Sequence, residues 1–414
     1  MSHLDALIRA SGPKKMLAID GGGIRGLIAI EFLARIEALL RAELKRENLL
    51  LCEYFDYVGG TSTGAIIATL ISLGFSMDEI RTFYRNGADA MFTPANNWVA
   101  LARRFKGPVA IFLGAIGLVG QGAMFTKKKL EEKIKSVIRE KTGDADALFG
   151  SDKLRTLLLI VTRNATTDSP WPLSNNPNAK YNIRERDQNG KEQKSNLDIP
   201  LWQLVRASTA APVFFGPEEI RVPGVSKPFM FQDGGTTVYN NPAFQMFLMA
   251  TLPTYNLGWA ATAEQLLLVS VGTGFCESAN KNLKEKEMNL IYNLQSMPAA
   301  LMRAATVEQD ILCRCFASVR SSNDAMKKID LEIDDLLGEH SPKWGKLMSY
   351  VRYNVELSES GLAEIGATGI DPKSVQPLDG KAVDDLRLVG SKAAERFVSL
   401  EDFSGFLTLR DADG

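Results

Sequence analysis

Phe55-Asp56-Tyr57-Val58-Gly59-Gly60-Thr61-Ser62-Thr63-Gly64 runs from an apolar stretch into a glycine-flanked serine, and Ala65 to Leu73 follows with small and apolar residues. Phe55–Val58 reads as a strand ending at Gly59-Gly60, and Ala65–Leu73 as a well-buried helix. Gly60-Thr61-Ser62-Thr63-Gly64 between them fits the G-x-S-x-G elbow, a strained strand-to-helix turn that exposes the serine hydroxyl. Gly60 and Gly64 suit that turn because it brings backbone segments too close for side chains. The competing reading is a Gly-Ser loop that caps a helix. A strand before and an apolar helix after favour the elbow, with Ser62 as nucleophile.

The same pattern stands upstream. Lys15–Asp20 reads as a buried strand running into Gly21-Gly22-Gly23-Ile24-Arg25-Gly26, and Leu27–Arg46 places Ile30, Leu33, Ile36, Leu40 and Leu44 at helical spacing. Strand, tight turn and helix twice within 75 residues predict an α/β fold with a largely parallel sheet. The glycine string also satisfies G-x-G-x-x-G, so a dinucleotide-binding fold competes. That fold needs an acidic residue beyond the second strand to hold a ribose, whereas Asp56 lies within the expected strand. In a hydrolase the same glycines present backbone N–H groups at a helix start, aimed at a developing oxyanion. Gly22 and Gly23 are the expected donors within an oxyanion loop that includes Ile24 and Arg25, with Arg25 supporting the loop or a substrate phosphate.

A serine nucleophile needs a base. The chain has two histidines, His3 in a charged leader and His340 in a polar turn, and neither setting suggests delivery to Ser62. A carboxylate or a lysine is then the remaining option. Asp233 ends the apolar strand Phe229–Gln232 and precedes Gly234 and Gly235, which leave its carboxylate open to approach. The ordinary carboxylate pKa is too low for a good base, so burial must raise it.

Composition sets the frame. With 45% hydrophobic and 23% charged residues, the 414-residue chain has the profile of a globular enzyme. A net charge of -1 gives no field to recruit a nucleic acid polymer. The first fifteen residues lack the apolar core of a secretory signal, and Cys52, Cys276, Cys313 and Cys315 read as reduced thiols. A cytoplasmic protein, peripheral to the inner membrane face at most, is therefore expected. No EF-hand spacing or zinc knuckle appears, so neither metal nor cofactor is expected. Gly107–Thr126 carries no charge; it reads as a buried or lid-like segment, with an interfacial lipid-contacting element as the alternative.

The three motifs, in this order, closely resemble the patatin-like phospholipase family. Val205-Arg206-Ala207-Ser208-Thr209-Ala210-Ala211-Pro212, Asn240-Asn241-Pro242-Ala243 and Ser270-Val271-Gly272-Thr273-Gly274 are similar to further family segments. The resemblance implies a three-layer α/β/α catalytic domain over 14–275, with a mainly helical extension over 276–414 packing on the core or forming a lid. It implies a Ser62–Asp233 dyad that cleaves fatty-acyl esters of membrane phospholipid or lysophospholipid. Some bacterial members are antiphage effectors switched on by a cyclic oligonucleotide, so a cyclic nucleotide activator belongs to the second reading. A catalytically silent lipid-binding module is the third.

Overall fold

The structure is a computed structural model, and it describes residues 3–92, 127–184, 188–190, 192–212, 215–276, 290–321, 345–376 and 382–409. Gly107–Thr126 and His340 lie outside the described residues.

Among the described residues, nine strands form one mixed, mostly parallel sheet: β1 Lys14–Ile19, β2 Tyr57–Thr61, β3 Leu157–Asn164, β4 Ser169–Ser174, β5 Glu218–Ile220, β6 Phe229–Asp233, β7 Leu266–Val271, β8 Ala317–Val319 and β9 Met348–Tyr353. β3, β2, β1, β7, β9 and β8 run parallel in that spatial order, while β4 and β6 each pair antiparallel with β3 and β5 pairs antiparallel with β6. The parallel strands read as near-continuous apolar runs because both sheet faces are covered. Alternate side chains divide between two cores. Leu17, Ile19, Val58, Leu158, Ile160 and Val269 join one; Met16, Ala18, Tyr57, Leu159, Val161 and Leu268 join the other.

Helices α1 Gly26–Glu43, α2 Thr63–Ser72, α3 Met77–Phe92, α4 Lys127–Thr142, α5 Leu201–Ser208, α6 Ala243–Thr251, α7 Leu290–Phe316 and α8 Val383–Phe397 surround the sheet. α1 packs on α8 and on the first core, and α6 packs on α7 beside the second. The expected three-layer α/β/α architecture is thus present.

Two local expectations shift. The second strand begins two residues later than the apolar run suggests, because Leu51–Tyr54 is a short helix and Phe55 ends it. It also runs through Gly59 and Gly60 to Thr61, since these residues pair with β1 on one side and β3 on the other. Asp56 sits just before the strand, where its Oδ2 accepts the Lys15 N–H at 2.7 Å. The segment after 275, expected to be mainly helical, also supplies β8 and β9, which extend the sheet beyond β7. β9 contains Ser349 and Arg352, which break its apolar pattern, yet all six of its residues are buried.

Candidate active site

Register brings the serine and the aspartate together. β2 pairs with β3 up to Thr61↔Val161, and β6 pairs with β3 from Thr162↔Asp233 onward. β4 occupies the other edge of β3 across Leu159–Asn164. β2 and β6 therefore lie end to end along one edge of β3, with Ser62 leaving one strand where Asp233 closes the other. The Ser62 Oγ–H donates to Asp233 Oδ2 at 2.6 Å across 171 residues of sequence.

Ser62 has φ 55 and ψ -121 as it caps α2. A non-glycine residue in the left-handed half of the map carries strain of about 1–3 kcal/mol and persists only where its surroundings hold it. Here the Ser62 N–H donates to Ser208 Oγ at 2.9 Å, and the Ser208 hydroxyl donates to the Val161 carbonyl at 2.6 Å. Thr61 Oγ1 donates to the Tyr239 carbonyl at 2.6 Å, tying the elbow to the loop beyond Asp233. Gly60 and Gly64 behave as expected: a Cβ on Gly60 would lie 2.1 Å from the Gly64 carbonyl, and one on Gly64 would lie 2.2 Å from the Ile19 oxygen.

Asp233 is buried, and its Oδ1 accepts the Gly235 N–H at 2.7 Å. Desolvation raises its pKa from 3.8 to about 6, outweighing the Ser62 and Gly235 hydrogen bonds and the Arg206 charge, all of which favour the ionised form. A carboxylate so poised, already holding the hydroxyl proton of a serine, can accept that proton near neutral pH. His3 bonds the Arg155 carbonyl at the opposite end of the sheet, so no described histidine serves Ser62.

The glycine loop lies beside this pair. A Cβ on Gly21 would lie 3.3 Å from Ser62 Cβ. The Gly21 N–H donates to the Asn240 carbonyl at 3.1 Å, and Thr273 Oγ1 donates to the Gly21 carbonyl at 2.9 Å. Because the peptide is trans, a Gly21 carbonyl fixed on Thr273 turns the Gly22 N–H the opposite way. Among the described residues, no backbone carbonyl accepts from the Gly22 or Gly23 N–H. Gly23 takes φ 57, and the short turn Gly23–Arg25 leads into α1 at Gly26. Ile24 is fully buried and anchors that turn. Arg25 turns toward Cys276; burial lowers its pKa, opposed by the thiol. Its buried Nε has no partner among the described residues. Gly234 and Gly235 sit where a Cβ would lie 2.4 Å from the Val161 oxygen and 2.9 Å from Asn240 Oδ1. Every residue marked as a site candidate from sequence thus belongs to one neighbourhood.

Several supporting residues had no assigned role in the sequence reading. Ser208, Asn240 and Thr273 fell within segments whose family likeness was visible, without any signal of their hydrogen bonds. Arg206 is fully buried, with its guanidinium 5.1 Å over the Phe215 ring and Nη2 donating to the Gly216 carbonyl at 3.1 Å. Among the described residues, no group of three His, Cys, Asp or Glu side chains could hold a metal ion, and no helix is long and apolar enough to cross a membrane.

A half-buried Ser62 bonded to a buried Asp233 at adjoining strand ends, flanked by a glycine loop at a helix start, is the arrangement that this α/β fold assembles. The patatin-like phospholipase family model matches residues 17–247, so the chain belongs to that family. It is 27% identical over 233 residues to a cGAMP-activated phospholipase of Vibrio cholerae, covering 56% of each chain. It is 29% identical over 248 residues to patatin-like protein 2 of Oryza sativa subsp. indica, covering 56% of this chain and 53% of the relative. Calcium-independent phospholipase A2-gamma of Rattus norvegicus is 25% identical over 354 residues, 80% of this chain and 39% of the relative. The chain thus spans about half the length of the first two relatives.

Proposed function

We propose that this protein is a serine acyl hydrolase that cleaves fatty-acyl ester bonds of phospholipid or lysophospholipid, working in the cytoplasm at the inner membrane face. In this reading Asp233 takes the Ser62 proton as Oγ attacks the ester carbonyl. The oxyanion is received by the Gly22 and Gly23 amides in the loop that continues through Ile24 and Arg25. Collapse of the tetrahedral intermediate expels the alcohol, which takes the proton back from Asp233 and leaves an acyl-serine. Water, deprotonated by Asp233, then attacks the acyl carbon. A second collapse releases the fatty acid and returns the proton to Ser62.

The observation that carries the reading is the 2.6 Å bond between Ser62 and a buried Asp233 whose pKa is pushed up to about 6. A fluorophosphonate probe tests it. Labelling and ester turnover should both vanish in Ser62→Ala. Labelling that persists in that variant would place the nucleophile elsewhere, and a wild type without turnover would leave the silent lipid-binding module as the better reading.

A second reading adds control to the same chemistry: a phospholipase activated by a cyclic nucleotide. Its support is the likeness to the Vibrio cholerae protein, whose name states that it is cGAMP-activated. Vesicle hydrolysis measured with and without a panel of cyclic dinucleotides separates the two, since a constitutive lipase is indifferent to all of them.

A further inference from the structure

The strand end that feeds the glycine loop is anchored from outside the 17–247 family match. Asp20 is the residue before Gly21, and its buried carboxylate receives both arms of the Arg352 guanidinium. Nη1 lies 3.2 Å from Oδ1 and Nη2 2.5 Å from Oδ2. Arg352 comes from β9. Its Nη1 also donates to Ser270 Oγ on β7 at 2.6 Å, and its Nε faces Asp310 Oδ2 on α7 at 3.9 Å. Asp310 is itself held, accepting from Arg314 Nε at 3.0 Å and from the Tyr350 hydroxyl at 2.8 Å.

α7 reaches the rest of the site from the same face. Met302, Thr306 and Asp310 are spaced by four residues, so they line one side of the helix. The Met302 methyl lies 3.7 Å from where a Cβ on Gly235 would be. Thr306 Oγ1 accepts from Asn240 Nδ2 at 3.2 Å, and the Asn240 carbonyl holds the Gly21 N–H.

A buried ion pair seldom gives more stability than apolar side chains of the same volume, because both charges must be stripped of water. A two-pronged guanidinium–carboxylate contact does supply directional geometry. We propose that Arg352 is a positioning residue for ester cleavage. It clamps Asp20 and so fixes the strand end from which the Gly22 and Gly23 amides are aimed, and Asp310 of α7 backs it from the far side. The proposal rests on the reading of those amides as oxyanion donors.

The test uses the full chain, with kcat and KM on a soluble short-chain p-nitrophenyl ester, the rate of fluorophosphonate labelling, and the melting temperature. Arg352→Met alone leaves Asp20 as an uncompensated buried charge, so the deciding variant is Asp20→Asn with Arg352→Met, which removes both charges. It should melt cooperatively, lose about 10- to 100-fold in kcat and in labelling rate, and change KM less than about twofold. A loop that no longer aims its donors loses transition-state stabilisation rather than substrate binding. A double variant with kcat within about twofold of wild type overturns the proposal, and so does a raised KM with unchanged kcat. If the double variant does not fold, Arg352→Lys decides: it keeps the charge but not the two-pronged contact. Unchanged kcat there overturns the proposal, and a fall in kcat with preserved KM supports it. Wild-type turnover that is independent of Ser62 would instead sink the hydrolase reading itself.

Discussion

Asp233→Asn separates what the buried carboxylate does for chemistry from what it does to the fold. Burial moves the Asp233 pKa from 3.8 to about 6. At about 1.36 kcal/mol per pKa unit, holding it ionised at neutral pH costs the folded state about 3 kcal/mol relative to the unfolded chain. Asparagine has nearly the same shape and no charge to desolvate. Its Oδ1 can still accept the Gly235 N–H, while its amide donates to a Ser62 hydroxyl that has rotated to accept. The cost of holding the charge is already net of the Ser62 and Gly235 hydrogen bonds and of the Arg206 charge, which favour the ionised form. The variant should therefore be up to about 3 kcal/mol more stable than wild type near pH 7. Because the folded pKa lies above the unfolded one, wild-type stability falls as pH rises from about 4 to about 6 and is level above that. The variant lacks this loss, so its advantage opens across that window and closes below it. Thermal unfolding of both proteins near pH 4 and near pH 7 reads the effect as a melting-temperature gap of a few degrees at the higher pH alone. Ester turnover should fall by about 10³-fold or more in the variant. A gap of equal size at both pH values would refute the desolvated carboxylate, and near-normal turnover would refute Asp233 as base.

Two further substitutions test the scaffold. Gly22→Ala puts a methyl group 2.1 Å from Thr273 Oγ1, so the loop must shift and the Thr273 hydroxyl loses its hold on the Gly21 carbonyl; turnover should fall by about 10²-fold, in the range for loss of an oxyanion donor, and wild-type kcat would show that the loop does not need this packing. Ser208→Ala leaves the buried Val161 carbonyl and the Ser62 N–H without the hydroxyl between them. It should lower stability by about 1–3 kcal/mol and slow Ser62 labelling, whereas an unchanged urea midpoint would mean that other groups hold the elbow.

The sequence carried the elbow, the glycine loop and Asp233 plainly, because each depends on residue types with few local substitutes. Gly60 and Gly64 are legible as glycines since backbone passes where their side chains would be. The shift of β2 was not legible, because Phe55 and Tyr57 are equally apolar and only pairing with β1 and β3 decides which belongs to the strand. β9 was hidden for a related reason. Ser349 and Arg352 put one polar residue on each face of the strand, and nothing near Arg352 in sequence announces that Asp20, 332 residues away, neutralises it. The support of Ser62 by Ser208 was equally silent, since a serine near a helix end is ordinary until its partner is known.

The end-to-end seating of β2 and β6 on β3 makes the Ser62–Asp233 distance independent of how much chain separates the two residues. β3 acts as a ruler, and the gap is set by adjacent rungs, Val161 and Thr162, rather than by the loops that join them. Insertions and deletions between the two residues, 171 apart in sequence, leave the spacing untouched as long as those rungs stay paired. A slip of β6 by one rung, in contrast, moves the carboxylate by about 3.3 Å and turns it to the other face of the sheet. Activity in this architecture is therefore an audit of strand threading: a molecule that turns over ester has assembled this edge of the sheet without a register error.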